Sequence, residues 1–163
     1  MIFTLDKYSD FLHKPCEEVD PTSVDTAFVI AALRKEAEIT PCAGLAANQI
    51  GHKVTIAIMK LDGELHDFTV TINPTIFYIT TGDPKIDMTV SVEGCVSDPG
   101  NMYAVRRHQH IKLGYFDEAG QPHMLELAGF PAIVAQHEVD HLGGINVVDV
   151  GMRVQSVPTI TTI

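Results

Sequence analysis

The stretch from Phe130 to Gly144, Phe-Pro-Ala-Ile-Val-Ala-Gln-His-Glu-Val-Asp-His-Leu-Gly-Gly, limits the choice of fold more than any other. Pro131 is tolerated in a first helical turn, where its missing N–H has no partner to lose. Gly143-Gly144 supply a left-handed stop, so a helix is predicted from about Pro131 to Leu142. On that helix Phe130, Ile133 or Val134, His137 and His141 share one face. An apolar face that runs into two histidines describes the wall of a pocket, and the rest of the chain has to build the other walls.

The remaining signals predict an α+β fold. Asp20-Pro21-Thr22-Ser23 is a capping and first-turn sequence for a helix over Val24 to Ala37, which must stop before Pro41. Val24, Phe28, Ala31 and Ala32 are expected to form its apolar stripe. From Lys53 onward the pattern is that of strands, with Val54, Ile56 and Ile58 alternating with Thr55, Ala57 and Met59, and Asp62-Gly63 as a turn. Phe68 to Ile72 is followed by Asn73-Pro74 and then by a second β-rich run, Ile76 to Thr81. Gly82-Asp83-Pro84 reads as a turn and Met88 to Val92 as a strand. His110–Phe116 and Met124–Leu127 read as a hairpin about Asp117-Glu118-Ala119-Gly120.

Composition excludes several classes. A chain of 163 residues suits one domain with a real core. With 11 Lys+Arg against 21 Asp+Glu, its net charge of −10 repels phosphate backbones, so direct nucleic-acid binding is not expected. The longest apolar run, Ala27 to Leu33, is too short to cross a bilayer, and no membrane association is expected. The first ten residues lack a basic region followed by an apolar stretch, which points to the cytoplasm. Cys16, Cys42 and Cys95 are odd in number and far apart, so they form neither a disulfide framework nor a Cys-x-x-Cys site.

The chemistry concentrates in His137-Glu138-Val139-Asp140-His141. Histidines four apart on a helix can reach one metal ion, and two neutral nitrogens suit zinc or ferrous iron. The intervening Glu138 can then carry a proton. A third ligand is not found downstream: no Glu follows Glu138, and Val147 stands where a metzincin has its third histidine. Upstream, Cys95 in Val92-Glu93-Gly94-Cys95-Val96-Ser97 has the most pointed setting, although a buried apolar thiol is the commoner fate of a lone cysteine. Gly44-Leu45-Ala46-Ala47-Asn48-Gln49-Ile50-Gly51 is a further small, flexible segment that ends in an amide.

Taken together, Gly44-Leu45-Ala46-Ala47-Asn48-Gln49, Glu93-Gly94-Cys95-Val96-Ser97 and Gln136 to Leu142 resemble the three signature motifs of the peptide deformylase family, in order and at about the family's separations. The resemblance runs from roughly residue 3 to 150. It implies mixed or antiparallel sheets around a central metal-binding helix, with an N-terminal helix. It implies a single catalytic domain over 1–150 and a short tail, extended or disordered, over 151–163. By the same resemblance Cys95, His137 and His141 ligate one divalent metal, Fe2+ in cells and replaceable by Zn2+, Ni2+ or Co2+. Glu138 is then the proton carrier, and Gln49 and the backbone N–H of Val96 steady the developing oxyanion. Gly44 binds the substrate main chain through its backbone, while Ala43, Phe130, Ile133 and Val134 line a pocket for methionine. The implied reaction removes the formyl group from N-formylmethionyl nascent peptides and releases formate.

The chain departs from the family pattern at three places. Cys42 stands where a glycine is usual, and Ala43 where a larger aliphatic is usual. Met102 stands where many members carry an arginine that touches substrate, so either Arg106 or Arg107 substitutes for it or the peptide backbone is bound more weakly. Only 22 residues follow His141, and Val154 to Ile163 is β-branched with Pro158 inside, so it cannot be the long helix by which many bacterial members dock on the ribosome. Contact with the ribosome would have to be made without that helix, as expected of a short-tailed form of phage type or of the forms ending in a strand. A metallopeptidase acting on ordinary peptide bonds and a metal-binding relative without turnover are the competing readings.

Overall fold

The alternating helix and strand signals resolve, in a computed structural model, into two antiparallel sheets and two principal helices. The structure describes residues 1–62 and 67–154. In chain order the elements are α1 (Leu5–Leu12), α2 (Val24–Ala37), β1 (Gly44–Ala46) with a 3-10 turn (Ala47–Ile50), β2 (Ile56–Met59), β3 (Thr69–Tyr78), α3 (Pro84–Asp87) and β4 (Met88–Gly94). They continue as β5 (Met102–His108), β6 (His110–Phe116), β7 (Pro122–Ala128), α4 (Phe130–Leu142), α5 (Val147–Val150) and β8 (Gly151–Arg153). One sheet has the order β1-β2-β3-β6-β7 and the other β4-β5-β8. The fold is thus α+β with α4 at its centre. Among the described residues no helix is long and apolar enough to cross a membrane.

Helix α2 begins where the capping sequence places it, with the Ser23 hydroxyl accepting from the Thr26 N–H at 3.1 Å. Its buried face is not the expected one. Val29, Ile30 and Leu33 pack inward, whereas Val24 and Phe28 are 85% and 65% exposed. Both stripes fit the helix repeat, and the one through Val29, Ile30 and Leu33 carries the larger aliphatic side chains, which the sheet buries. They meet Leu45, Ile56, Ile58 and Ile72 on one face of β2, while Ala57 and Met59 point to the other face and meet Ala132, Val134 and Ala135 of α4. All four residues of β2 are therefore buried. Burying one such aliphatic side chain contributes about 1.5–3 kcal/mol.

Three further differences have local causes. Asn73-Pro74 does not separate two strands, because β3 runs through it with a register shift between Ile72 and Thr75. Asn73 takes a φ of 49°, and its side chain accepts from the Val19 N–H and donates to the Val19 carbonyl, so the irregularity is held in place. Strand β5 carries no alternating apolar signal because the inward residue after Tyr103 and Val105 is Arg107. Helix α1 is only eight residues long and interrupted at Tyr8, so Leu5, Tyr8 and Leu12, although at helical spacing, span too few turns to stand out in the sequence. The predicted Asp62-Gly63 turn extends into residues 63–66, outside the described residues. Residues 151–153 join the smaller sheet as β8, pairing with Tyr103 to Val105, and the remainder of the tail from residue 155 lies outside the described residues.

Helix α4 is fastened at several points. The Gln136 side chain accepts from the His108 N–H and donates to the His108 carbonyl, each at 2.9 Å, which ties the helix to β5. At its far end Asn48 Nδ2 donates to the His141 carbonyl at 2.6 Å, and the Cys16 N–H to the Leu142 carbonyl at 2.9 Å. The stop is made by Gly144, whose φ is +77° and where a Cβ would lie 2.8 Å from the Lys14 carbonyl carbon. Only glycine combines that backbone angle with that approach.

Candidate metal centre and its cavity

Cys95 follows the last residue of β4, and His137 and His141 lie one turn apart on α4. The donor atoms of the three lie within 4.8 Å of one another. His141 Nε2 is 3.2 Å from Cys95 Sγ and 3.2 Å from His137 Nε2. His137 Nδ1 is 2.9 Å from Glu93 Oε2, so the ring donates there and its Nε2 is left with a bare lone pair. Two bare imidazole nitrogens at this distance repel one another unless positive charge lies between them. The attraction of the group for such charge appears in His137 itself. Burial opposes its protonation, but Cys95 and Glu93 outweigh that and lift its pKa to about 10. Burial and the neighbouring His137 drive His141 the other way, well below its ordinary value. The nitrogen separation is also close to the roughly 3.3 Å edge of a tetrahedron with metal–nitrogen bonds of about 2.05 Å. One thiolate and two imidazoles fit a borderline divalent ion.

The surroundings are built to hold these donors still. Arg107 donates through Nε and Nη2 to the two Glu93 oxygens, both at 2.9 Å, and through Nη1 to Asp140. Burial raises the Glu93 carboxyl, yet hydrogen bonds from His137, Arg107 and Ser91 hold it at about 2. It therefore stays ionised and keeps His137 in one tautomer. Gln49, from the 3-10 turn, accepts the Ala46 N–H at 2.9 Å. Its Nε2 lies 3.1 Å from Ser97 Oγ, 3.6 Å from Cys95 Sγ and 3.2 Å from His141 Nε2. Its amide hydrogens thus point at the centre.

Beside the donors opens a cavity of about 820 Å3. Its wall includes Ala43, Gly44, Gln49, Val96, Phe130, Ile133, Val134 and Glu138, together with Cys42 and Met102. Glu138 is buried, its Oε2 has no hydrogen-bond partner, and burial above all lifts its carboxyl to about 7. Gly44 makes room for it, since a Cβ there would stand 2.5 Å from Glu138 Oε1. Strands β1 and β4, each an edge of its sheet, flank the opening and leave backbone groups free toward it.

Sequence reasoning missed the supporting shell. Glu93 sits inside a motif already noticed, and a carboxylate two residues before a candidate ligand was the signal available. Arg107 was read as a cation free for substrate. It is instead buried on Glu93 and Asp140, and Arg106 is not part of the cavity wall, so neither replaces an arginine at Met102. Ser97 and Asn48, both fully buried, gave no signal of their own.

The geometry agrees with comparisons to known proteins. The family model described as polypeptide deformylase matches residues 2–156. A peptide deformylase of Aquifex aeolicus is 39% identical over 146 residues, 86% of this chain and 82% of that protein. Among solved structures, peptide deformylase from Thermotoga maritima superposes with a TM-score of 0.80 at 27% identity, over 92% of this chain and 95% of that one. The enzyme from the Vibrio parahaemolyticus bacteriophage VP16T, in complex with actinonin, gives a TM-score of 0.77 at 28% identity, over 90% and 98%. With the match running through nearly all of the described residues, and through every segment that builds the cavity, the chain belongs to the polypeptide deformylase family.

Proposed function

We propose that this chain is a metal-dependent hydrolase that removes the N-formyl group from N-formylmethionyl peptides of nascent proteins, giving formate and a free N-terminus. The observation that carries the reading is the convergence of Cys95, His137 and the fully buried His141 beside an apolar cavity, whose wall includes Cys95, His137 and Glu138 with its unpartnered oxygen. Cys95, His137 and His141 would hold the metal, Fe2+ in cells, with Zn2+, Ni2+ or Co2+ accepted by the same donors. When bound, such an ion supplies Lewis acidity, acidifying water and polarising a carbonyl oxygen.

The chain's own groups do the rest. Glu138, with its carboxyl near 7, takes a proton from the attacking water on Oε2 and returns it to the methionyl nitrogen as the formyl C–N bond breaks. The Gln49 amide and the Val96 backbone N–H donate to the oxygen on which negative charge develops, and they are held in place beforehand. Gly44, on the free edge of β1, bonds the peptide backbone, so an extended substrate adds to that edge. Ala43, Phe130, Ile133 and Val134 surround the methionine side chain. The catalytic unit spans residues 1–150 and works on nascent chains in the cytoplasm.

Anaerobic purification with metal analysis, followed by formate release on the same sample, tests this reading. Formyl-Met-Ala-type peptides should be consumed and their unformylated counterparts left intact. Cleavage of unformylated peptides would assign a metallopeptidase, and metal-loaded protein that releases no formate would assign a relative without turnover.

A further inference from the structure

Resting on the metal site of that reading, we infer that Asn146 is a positioning residue for His141: its side-chain oxygen takes the Nδ1 hydrogen, so that Nε2 meets the metal with its lone pair. A neutral imidazole carries one N–H and one lone pair, and a ligand has to keep them in order. Around His141 Nε2 stand Cys95 Sγ, His137 Nε2 and the Gln49 amide nitrogen, each at 3.2 Å. An amide nitrogen can only donate, which requires the lone pair at Nε2 and the hydrogen at Nδ1.

That hydrogen lies in the interior. Among the described residues, His141 Nδ1 and Asn146 Oδ1 are both buried, and neither has a well-aligned hydrogen bond to any other group. One is a donor short of an acceptor, the other an acceptor short of a donor. The turn after α4 folds the chain back, with the N–H groups of Gly144 and Ile145 on the His141 and Asp140 carbonyls at 3.0 and 2.8 Å. Asn146 is then held from two sides. Its N–H donates to Asp149 Oδ2 at 2.7 Å and its Nδ2 to the Leu12 carbonyl at 3.2 Å, so the oxygen is the free end of the amide. Burial and His137 keep the His141 ring neutral, and the Asn146 side chain acts against them as a hydrogen-bond partner of the ring. Asn48 Oδ1 is also bare, but Asn48 is tied to the His141 main chain. The two histidines are thus steadied differently, His137 by an ionised carboxylate and His141 by a neutral amide, which orders the ring without adding charge to the centre.

The test measures zinc affinity by competition with a chelator and locates the ring hydrogen of His141 by nitrogen-15 NMR. In the unmodified protein, metal-free and zinc-loaded, the hydrogen should sit on Nδ1 and exchange slowly with water. Asn146→Leu, which removes the acceptor, should weaken zinc binding about tenfold and speed that exchange. Asn146→Asp gives up the bond to Leu12 but keeps an acceptor oxygen, and should hold zinc within about threefold. Leu33→Ala, which loosens the α2 core instead, should leave the zinc affinity of the folded protein unchanged. A hydrogen on Nε2 in the unmodified metal-free protein would overturn the inference without any variant. Undiminished zinc affinity in Asn146→Leu would overturn it too. So would equal losses in Asn146→Leu and Asn146→Asp, which would trace to Leu12, or in Asn146→Leu and Leu33→Ala, which would trace to stability alone. The expected zinc and exchange pattern, with no formate released by the unmodified protein, would sustain this inference and remove the deformylation reading instead.

Discussion

Helices α2 and α4 press on opposite faces of β2, and they bury different kinds of side chain. From α2 come Val29, Ile30 and Leu33, plus Thr26, whose hydroxyl is satisfied by the Asp20 carbonyl at 2.7 Å. From α4 come Ala132, Val134, Ala135 and Leu142, but also Gln136, Glu138 and His141. Gln136 is fully paired, whereas Glu138 keeps an oxygen with no partner. A buried polar atom without a partner costs about 1–3 kcal/mol. The difference teaches that the α2 face is built for stability, while the α4 face gives some up to keep reactive groups in place.

Substitutions on the two faces should therefore separate activity from stability. The largest effect belongs to Glu138→Gln, which should lower formate release about 10^3-fold while metal content and thermal midpoint hold. Loss of the metal along with activity would mean that Glu138 is structural. Leu33→Ala on α2 should do the reverse, costing about 3 kcal/mol in denaturant unfolding with kcat of the folded fraction unchanged. Its neighbour Phe28→Ala should stay within about 0.5 kcal/mol, and a loss matching that of Leu33 would restore the stripe first read from the sequence. Gly44→Ala should cost about 100-fold in kcat/KM at full metal content, because the added Cβ displaces the Glu138 carboxyl. Unchanged kinetics there would mean that Glu138 acts from another rotamer.

The smallest effect lies on neither helix. Asp87 accepts from the hydroxyls of Thr80 and Thr81 and from the N–H groups of Thr81 and Gly82. The Thr80 hydroxyl first, then these other donors, bring its pKa from 3.8 to about 2. A carboxyl depressed by folding stabilises above its unfolded pKa, and that contribution fades as pH falls through the folded value. Asp87→Asn should flatten the decline of stability between about pH 4 and pH 2 without touching formate release at neutral pH. A slope equal to that of the unmodified protein would assign the acid sensitivity elsewhere.

What could be read in advance divides along physical lines. The α4 motif was legible because residues four apart on a helix meet regardless of the tertiary fold, and the turn at Ser23 because capping is local. The orientation of α2 was not, since two candidate stripes differ by less than a turn and only the sheet decides between them. β5 was hidden by Arg107, a charge turned inward because two acids from other elements await it. The Glu93–His137 contact joins residues 44 apart, and no spacing rule reaches that far.

Two bonds near the start of the chain carry a consequence of another kind. The Phe3 N–H donates to the Gln49 carbonyl at 2.7 Å, and the Leu5 N–H to the Ser97 carbonyl at 2.8 Å. Both are made by main chain alone, so they impose a register without requiring particular residues. The spacing of positions 3 and 5 is thereby fixed, and the Phe3 ring adds a demand of its own, stacking on Tyr8 with centroids 3.9 Å apart and filling the space where a Cβ on Gly51 would fall. Removing Thr4 would shorten the link between the two donors, so that the bonds to the Gln49 and Ser97 loops could not both be made in the present register.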